Sequence, residues 1–438
     1  MAQLPFSKIK RYLTGMDWVI HTLDHMSKKQ TGVGNISQLV LELSGPPAHD
    51  ELRNSLAEFI KHYPVSNGRS VRGCNLAPYW KIYRGAVIPP RLKIHELSDA
   101  SYTGVLSKLE EELNLPFNTE REHLVFHLLC AKNRYFVAMT FDHRLLDARG
   151  AEAFLDIFQQ EQVAGDKSDS ISLNESAHLC NWRKKFVAGK HVNQIFRTIA
   201  QNTPPIRPLP DTSKEKRFRF KLISFDKAET NRIIENIYDQ TGYMMVMPYA
   251  LAASVHILHK YFIKNSAHAG DYIIPVSIDT RPPEKVQQEV FFNHISFFIF
   301  RIPQSISGDF SAILALIQKQ MYEQVKSRLP EDFKEASHLM RILPLAVMGF
   351  LMHLPLNGQI ASFCFSYIGE SAYQSSEFMH ERVLNMFHMP RAPVPPGLGI
   401  YFNQFQGQLN AVLSYIDGVL DREEASVVMD EVRSHLGT

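Results

Sequence analysis

The chain has 438 residues, 45% hydrophobic and 21% charged. That length exceeds one domain of ~100–200 residues, so two lobes, each with its own core, are expected. A net charge of +2 gives no whole-chain ground for a nucleic-acid partner. The four cysteines, Cys74, Cys130, Cys180 and Cys364, lack any short spacing, which excludes a disulfide framework and a Cys-based zinc site and fits a reduced cytoplasmic protein.

Strands and helices alternate along the chain. The opening "MAQLPFSKIKRYL" lacks the apolar core of a secretory signal. "ISQLVLELSG" alternates, with Leu39, Leu41 and Leu43 on one side, and predicts a strand. "DELRNSLAEFIKHYP" carries Leu52, Leu56, Phe59 and Ile60 at helical spacing and stops before Pro64. "LVFHLLCAKNRYFVAMTFDH" reads as a β-hairpin turning near Lys132 and Asn133, and "AEAFLDIF" as the helix that follows. A polar stretch, a short helical piece around Trp182 and the proline-rich "NTPPIRPLPDTSKEKRFRFK" come next, which places the lobe boundary near 205–215: lobes 1–205 and 206–438. "FRFKLISF" starts the second series of strands. "ILPLAVMGFLMHLPL", Ile342 to Leu356, is too short for a membrane span of ~20 residues and contains two prolines, which leaves peripheral membrane contact open.

The stretch "MTFDHRLLDARG", residues 139–150, raises the question of chemistry. On the strand leading into it, Tyr135, Val137, Met139 and Phe141 share a face with His143, so the strand delivers an imidazole to its end on the apolar side, with Asp142 facing the other way. A neutral imidazole there takes a proton from a hydroxyl, amine or thiol attacking a carbonyl, provided its tautomer is fixed. The residues between them turn Asp147 back toward that region, either beside the ring or into a supporting ion pair. Two potential ligands without a third nearby argue against a metal at this place. The chain has no G-x-S-x-G elbow for a serine hydrolase. By spacing alone, an ordinary salt-bridged turn at a strand end remains open.

Larger stretches carry a resemblance. "PFNTEREHLVFHLLCAKNRYFVAMTFDHRLLDARGAEAFLDIF" resembles the HxxxD region of the CoA-dependent acyltransferase superfamily. That group includes chloramphenicol acetyltransferase, the plant BAHD enzymes, wax ester synthase/diacylglycerol acyltransferases and nonribosomal peptide condensation domains. "IIPVSIDTRPPEKVQQEVFFNHISFFIFRIP" is similar to a second family segment and places Arg281 and Asn293 at its arginine and asparagine. "FCFSYIGE" is similar to the family's SNLG strand, and the ending from Gly397 to Leu436 matches as two strands and a final helix. The departures are Asp142 for the first histidine of an HH pair, Ala148 for the glycine after the aspartate, Phe292 for the glycine before Asn293, and Tyr367 for the asparagine of SNLG. Gly150 is expected to relax the turn in place of Ala148.

The resemblance implies an α/β fold of two chloramphenicol acetyltransferase-like lobes, each a mixed sheet with helices. They would form a monomeric pseudo-dimer with a tunnel at the interface and His143 near its middle. It implies an acyltransferase that moves an acyl group from a thioester, acyl-CoA or acyl carrier protein, to an alcohol or amine acceptor. His143 would be the general base, with Asp147 in the catalytic pair through an ion pair to Arg281. Asn293 would support the site, and Ser366 or Tyr367 would be the oxyanion donor. No bound cofactor and no metal are implied; the thioester is a co-substrate. The basic runs "WRKKF" at 182–186 and "KEKRFRFK" at 214–221 are candidates for CoA phosphates or an acidic carrier protein, or else solvated faces. Phe297, Phe298 and Phe300 are candidates for an acyl pocket, against simple core packing. Two alternatives stay open: a non-catalytic member that binds an acyl ligand or carrier protein, and a condensation-type enzyme using carrier-bound substrates.

Overall fold

The computed structural model describes residues 10–164, 173, 181–200, 216–242, 245–265, 270–356 and 358–437, apart from 75, 84 and 100. The proline-rich stretch and the boundary placed at 205/206 lie outside the described residues, as does most of the polar stretch before Trp182. In chain order the first half holds β1 (Lys10–Tyr12), α1 (Gly15–Thr31), β2 (Ile36–Leu43), α2 (His49–His62), β3 (Arg69–Arg72), β4 (Pro78–Lys81), β5 (Arg91–Glu96), α3 (Tyr102–Leu113), β6 (Leu124–Ala131), β7 (Arg134–Asp142), α4 (Ala148–Ala164) and α5 (Trp182–Ala200). The second half holds β8 (Phe218–Phe225), α6 (Lys227–Thr241), α7 (Val246–Asn265), β9 (Tyr272–Asp279), β10 (Ile295–Ile302), α8 (Phe310–Lys326), α9 (Leu329–Met340) and α10 (Leu345–His353). It continues with β11 (Cys364–Glu370), β12 (Glu377–Phe378), β13 (Glu381–Pro390), β14 (Leu398–Phe405), β15 (Gln408–Ile416) and α11 (Arg422–Gly437).

Two six-stranded mixed sheets carry the fold, ordered β12-β13-β2-β7-β6-β5 and β10-β9-β11-β14-β15-β8. The hairpin is as expected: β6 and β7 pair antiparallel and turn at Lys132, whose φ is 52°. The expected helix after the motif is longer than its apolar seed and runs to Ala164. The sheets do not divide where the chain does. β13, from the second half, pairs antiparallel along β2 from Val383↔Leu43 to Pro390↔Ser37, and so completes the first half's sheet.

The expectation of a separate core for each lobe fails for the same reason. Central strands β2 and β7 are buried on both faces. Leu39, Leu41, Val137 and Met139 pack in one cluster with Phe154 and Phe158 of α4. Val40, Phe136 and Ala138 pack in another that also holds Phe218, Ile274 and Leu413 of the second sheet. The second cluster is continuous across the two halves. Phe298 and Phe300 belong to it, and Phe297 packs edge-on against Phe333 at 5.6 Å, so these rings fill core space. The apolar stretch 342–356 contains helix α10 and a 3-10 turn at Leu354–Leu356. It lies on α1, with Gly349 against Met26, and leaves Val347, Phe350, Leu351 and Leu354 exposed. No single helix among the described residues is long and apolar enough to cross a membrane.

Candidate active site

β7 ends at Asp142, and the turn that follows docks on residues 281–294, the connection from β9 to β10 of the other sheet. Phe292 N–H donates to Leu145 C=O at 2.6 Å, and Leu146 and Phe292 form an isolated parallel bridge. His143 is half-buried at this junction, its backbone N–H on Asn35 C=O at 3.1 Å. Its ring is held by Asn293, which precedes β10. Asn293 Nδ2 donates to His143 C=O at 3.0 Å, and Asn293 Oδ1 lies 3.1 Å from His143 Nδ1. The first bond orients the amide, because the reverse placement would set carbonyl against carbonyl. Oδ1 is an acceptor, so Nδ1 carries the hydrogen and Nε2 keeps the lone pair.

Asn293 is itself anchored. Its N–H donates to Asp17 Oδ1 at 3.0 Å, while Asp17 Oδ2 accepts from Arg11 Nη1 at 2.9 Å and Thr14 N–H at 2.8 Å. Burial raises the Asp17 carboxyl, but Arg11 and the converging N–H donors outweigh it and hold it below the ordinary carboxylate value. Thr14 and Asp17 form a capping box on α1, and the same carboxylate reaches the neighbouring lobe. Arg11 and Asp17 thus join the candidate site beside Asn293, outside the resembled motifs. The T-x-x-D spacing in "LTGMDW" was the available signal for the cap, though not for its reach to Asn293.

Asp147 takes the ion-pair role. Its side chain and that of Arg281 are 3% and 1% exposed, and Arg281 Nη2 donates to Asp147 Oδ1 at 2.7 Å. Asp147 also accepts from Gly150 N–H at 2.8 Å and His294 N–H at 3.0 Å. Burial raises its carboxyl, but Arg281, His294 and Gly150 together hold it below the ordinary value. Arg281 has a second partner not foreseen from the motif: Asp279, at 2.9 Å from Nε.

Two of the departures from the resembled pattern, Asp142 and Phe292, find local partners. Asp142, in place of a histidine, accepts from Arg144 and from His123 Nδ1 at 2.8 Å, and His123 Nε2 lies 2.8 Å from Gly68 C=O. Phe292, in place of a glycine, has φ 75°, the left-handed region that favours glycine. Its ring compensates by taking the Arg11 guanidinium at 3.7 Å and Trp80 edge-on at 5.6 Å. Gly150 does not relax the turn: it makes room for the other lobe, since a Cβ there would meet Val290 O at 2.1 Å.

Ser366 and Tyr367 stand on β11, in the other sheet, and neither hydrogen-bonds to His143. Ser366 Oγ is 3.2 Å from Ser277 Oγ of β9. Burial, with the nearby Glu370 carboxylate, pushes the Tyr367 phenol up to about 12. β11 bulges after Tyr367 at Gly369, φ 78°. Arg149, two residues beyond Asp147, donates to Ile368 C=O at 2.6 Å and Glu370 C=O at 2.5 Å, which ties the bulge to the His143 turn. A cavity of about 750 Å³ adjoins the turn, bounded by Trp18, His21, Arg72, Asp142, Arg144 and Leu345 among others. His143 is not one of its lining residues, in contrast to the expected tunnel with His143 near its middle. The basic runs are largely engaged: Lys184 and Lys185 both reach Glu335, and Arg219 pairs with Asp417 and Glu110.

Asp147→Asn should cost about 3 kcal/mol, the low end for breaking a buried pair, because Arg281 keeps Asp279. The lowered carboxyl sets the sign of the pH effect. The contribution is complete above the unfolded carboxylate value of ~3.9 and is lost as pH falls through it toward the folded value. The gap in melting temperature between wild type and variant should therefore narrow from pH 5 to pH 3. Phe292→Gly relieves roughly 1–3 kcal/mol of backbone strain but removes a buried ring contributing roughly 3–5 kcal/mol. Denaturant melts should show a net loss; a gain would show that the ring contacts count for little.

No protein-family model matches the chain, and no curated protein matches it in sequence. Solved structures do match in fold. The EpoB NRPS cyclization-docking bidomain from Sorangium cellulosum aligns with a TM-score of 0.68 at 12% identity, over 100% of this chain and 86% of that one. TRI3 trichothecene 15-O-acetyltransferase from Fusarium sporotrichioides aligns with 0.68 at 12% identity, over 98% and 95%. The first condensation domain of the calcium-dependent antibiotic synthetase, in complex with a substrate analogue, aligns with 0.69 at 12% identity, over 98% and 96%. Over nearly its whole length, the chain has the two-lobed fold of these condensation and acetyltransferase structures.

Proposed function

We propose that the chain is an acyltransferase of the HxxxD type, moving an acyl group from a thioester to an alcohol or amine, with His143 as general base. The observation that carries this reading is the Asn293 clamp, which leaves Nε2 of His143 as the proton acceptor. The acceptor's O–H or N–H gives its proton to Nε2 as the oxygen or nitrogen attacks the thioester carbonyl. The tetrahedral intermediate collapses, the C–S bond breaks, and the departing thiolate takes the proton back from His143. No side chain becomes acylated. A donor for the oxyanion comes from β11: Tyr367, whose raised phenol keeps its hydrogen at neutral pH, or Ser366. The donor is acyl-CoA or a thioester on a separate carrier protein. The partly exposed Lys28 and Arg69 at the cavity suit the anionic handle of either.

The second reading, an acyl-ligand- or carrier-binding member without turnover, has one observation in its favour: the cavity is lined by Asp142 and Arg144 but not by the residue between them. Purified protein incubated with acyl-CoAs of varied length and pooled alcohols and amines distinguishes the two by release of free thiol. The first reading expects acceptor-dependent release, reduced ~10²–10⁴-fold in His143→Ala with the melting temperature maintained. Near-native turnover in that variant would remove His143 as the base. Ligand-dependent stabilisation without release under any combination would favour the second reading.

A further inference from the structure

A polar cluster away from the His143 turn sits at the edge of the first sheet. His95 lies on edge strand β5 and His127 on its neighbour β6. The parallel register Lys93↔His127 and His95↔Leu129 puts Lys93, His95 and His127 on one face. Glu112, in the last turn of α3, comes down on that face. His95 Nε2 is 3.4 Å from His127 Nδ1 and 3.7 Å from Glu112 Oε1, and His127 Nδ1 is 3.9 Å from Glu112 Oε2. We infer that His95, Glu112 and His127 form a binding site for one divalent transition-metal ion, zinc by its donor set, which pins α3 to the edge of the first sheet.

Spacing is the first argument. Donors about 2.1 Å from a tetrahedral zinc stand about 3.4 Å from one another. The three observed separations meet or slightly exceed that value, so small side-chain movements bring the donors in. Two imidazoles and one carboxylate select a borderline ion over magnesium or calcium, which take oxygen donors. The ring orientation is the second argument. The imidazoles are near parallel, 17° between planes, with a nitrogen of each directed at the same carboxylate. At most one hydrogen can lie between those two nitrogens. His127 is fixed from behind: its Nε2 lies 3.0 Å from Thr140 Oγ1, which accepts in turn from Gln38 Nε2 at 3.0 Å. Outer partners of this kind orient a ligating ring.

Two cations oppose the ion. Lys93 Nζ is 2.5 Å from Glu112 Oε2 and Lys108 Nζ is 3.6 Å from Oε1. Both side chains are about a quarter exposed and able to swing outward. Metal uptake therefore displaces or repels Lys93, which gives the site a signature that a plain hydrogen-bonded cluster lacks: removing that lysine tightens binding.

The test uses the full chain, stripped with a chelator and dialysed, and titrated with Zn²⁺ by calorimetry and with Co²⁺ by visible absorption. Expected are one equivalent per chain, a raised melting temperature, a tenfold or greater loss of affinity in His95→Ala and in His127→Ala, and a gain in Lys93→Met. His127 is buried and its variant can fail to fold; His95, on the edge strand, is the variant that keeps the test open. Retention of binding in His143→Ala separates this site from the turn. The inference is overturned if neither wild type nor Lys93→Met takes up a stoichiometric ion, or if uptake survives in both histidine variants.

Discussion

The contact on which the site depends is the buried pair of Asp147 and Arg281. Taking both charges out of water costs about as much as their attraction returns, so the pair adds little net stability. It supplies registry instead. An aspartate in the turn after β7 and an arginine just past β9 have one low-energy arrangement, and it also places His294 N–H on Asp147 and Phe292 N–H on Leu145. Once these are made, Asn293 has no freedom left, and the tautomer of His143 follows. The orientation of the His143 ring thus depends on a charge pair it does not touch.

Much of this was legible in the sequence where the signal is local. The hairpin and the helix after the motif follow from alternation and spacing, whereas the residues alone left Asp147 either beside the ring or in an ion pair, and its pairing with Arg281 came from the resemblance. Asn293 was recognised as a site residue, but its effect on the ring needs the amide's orientation, which only the paired bonds to His143 supply. Arg149 was passed over because an arginine bonded to backbone carbonyls has no sequence pattern. Gly150 reads in the sequence as a turn residue for a related reason: close approach of a distant carbonyl leaves no sequence pattern. The two-core expectation failed because strands buried on both faces show the same alternation as strands buried on one, when the second face is built from Val40, Phe136 and Ala138.

Where the sequence departs from the resembled pattern, Asp142 and Phe292 find partners of their own. Asp142 satisfies His123 and Arg144 inside the cavity wall and leaves His143 to its own partner. Phe292 accepts an unfavourable backbone angle and recovers it through the guanidinium of Arg11, the same residue that neutralises Asp17 beneath Asn293. Arg11 therefore serves two neighbours of the histidine at once, from a strand near the start of the chain.

The placement of β13 has a consequence for biosynthesis. Until residues 381–390 emerge from the ribosome, β2 presents Ser37 to Leu43 as an open edge with Leu39, Val40 and Leu41 beside it. Translation from the end of β7 to the end of β13 covers roughly 250 residues, ~10–50 s at ~5–20 residues per second. For that interval the nascent first half carries an unpaired, apolar strand edge, the feature that invites pairing with a neighbouring chain.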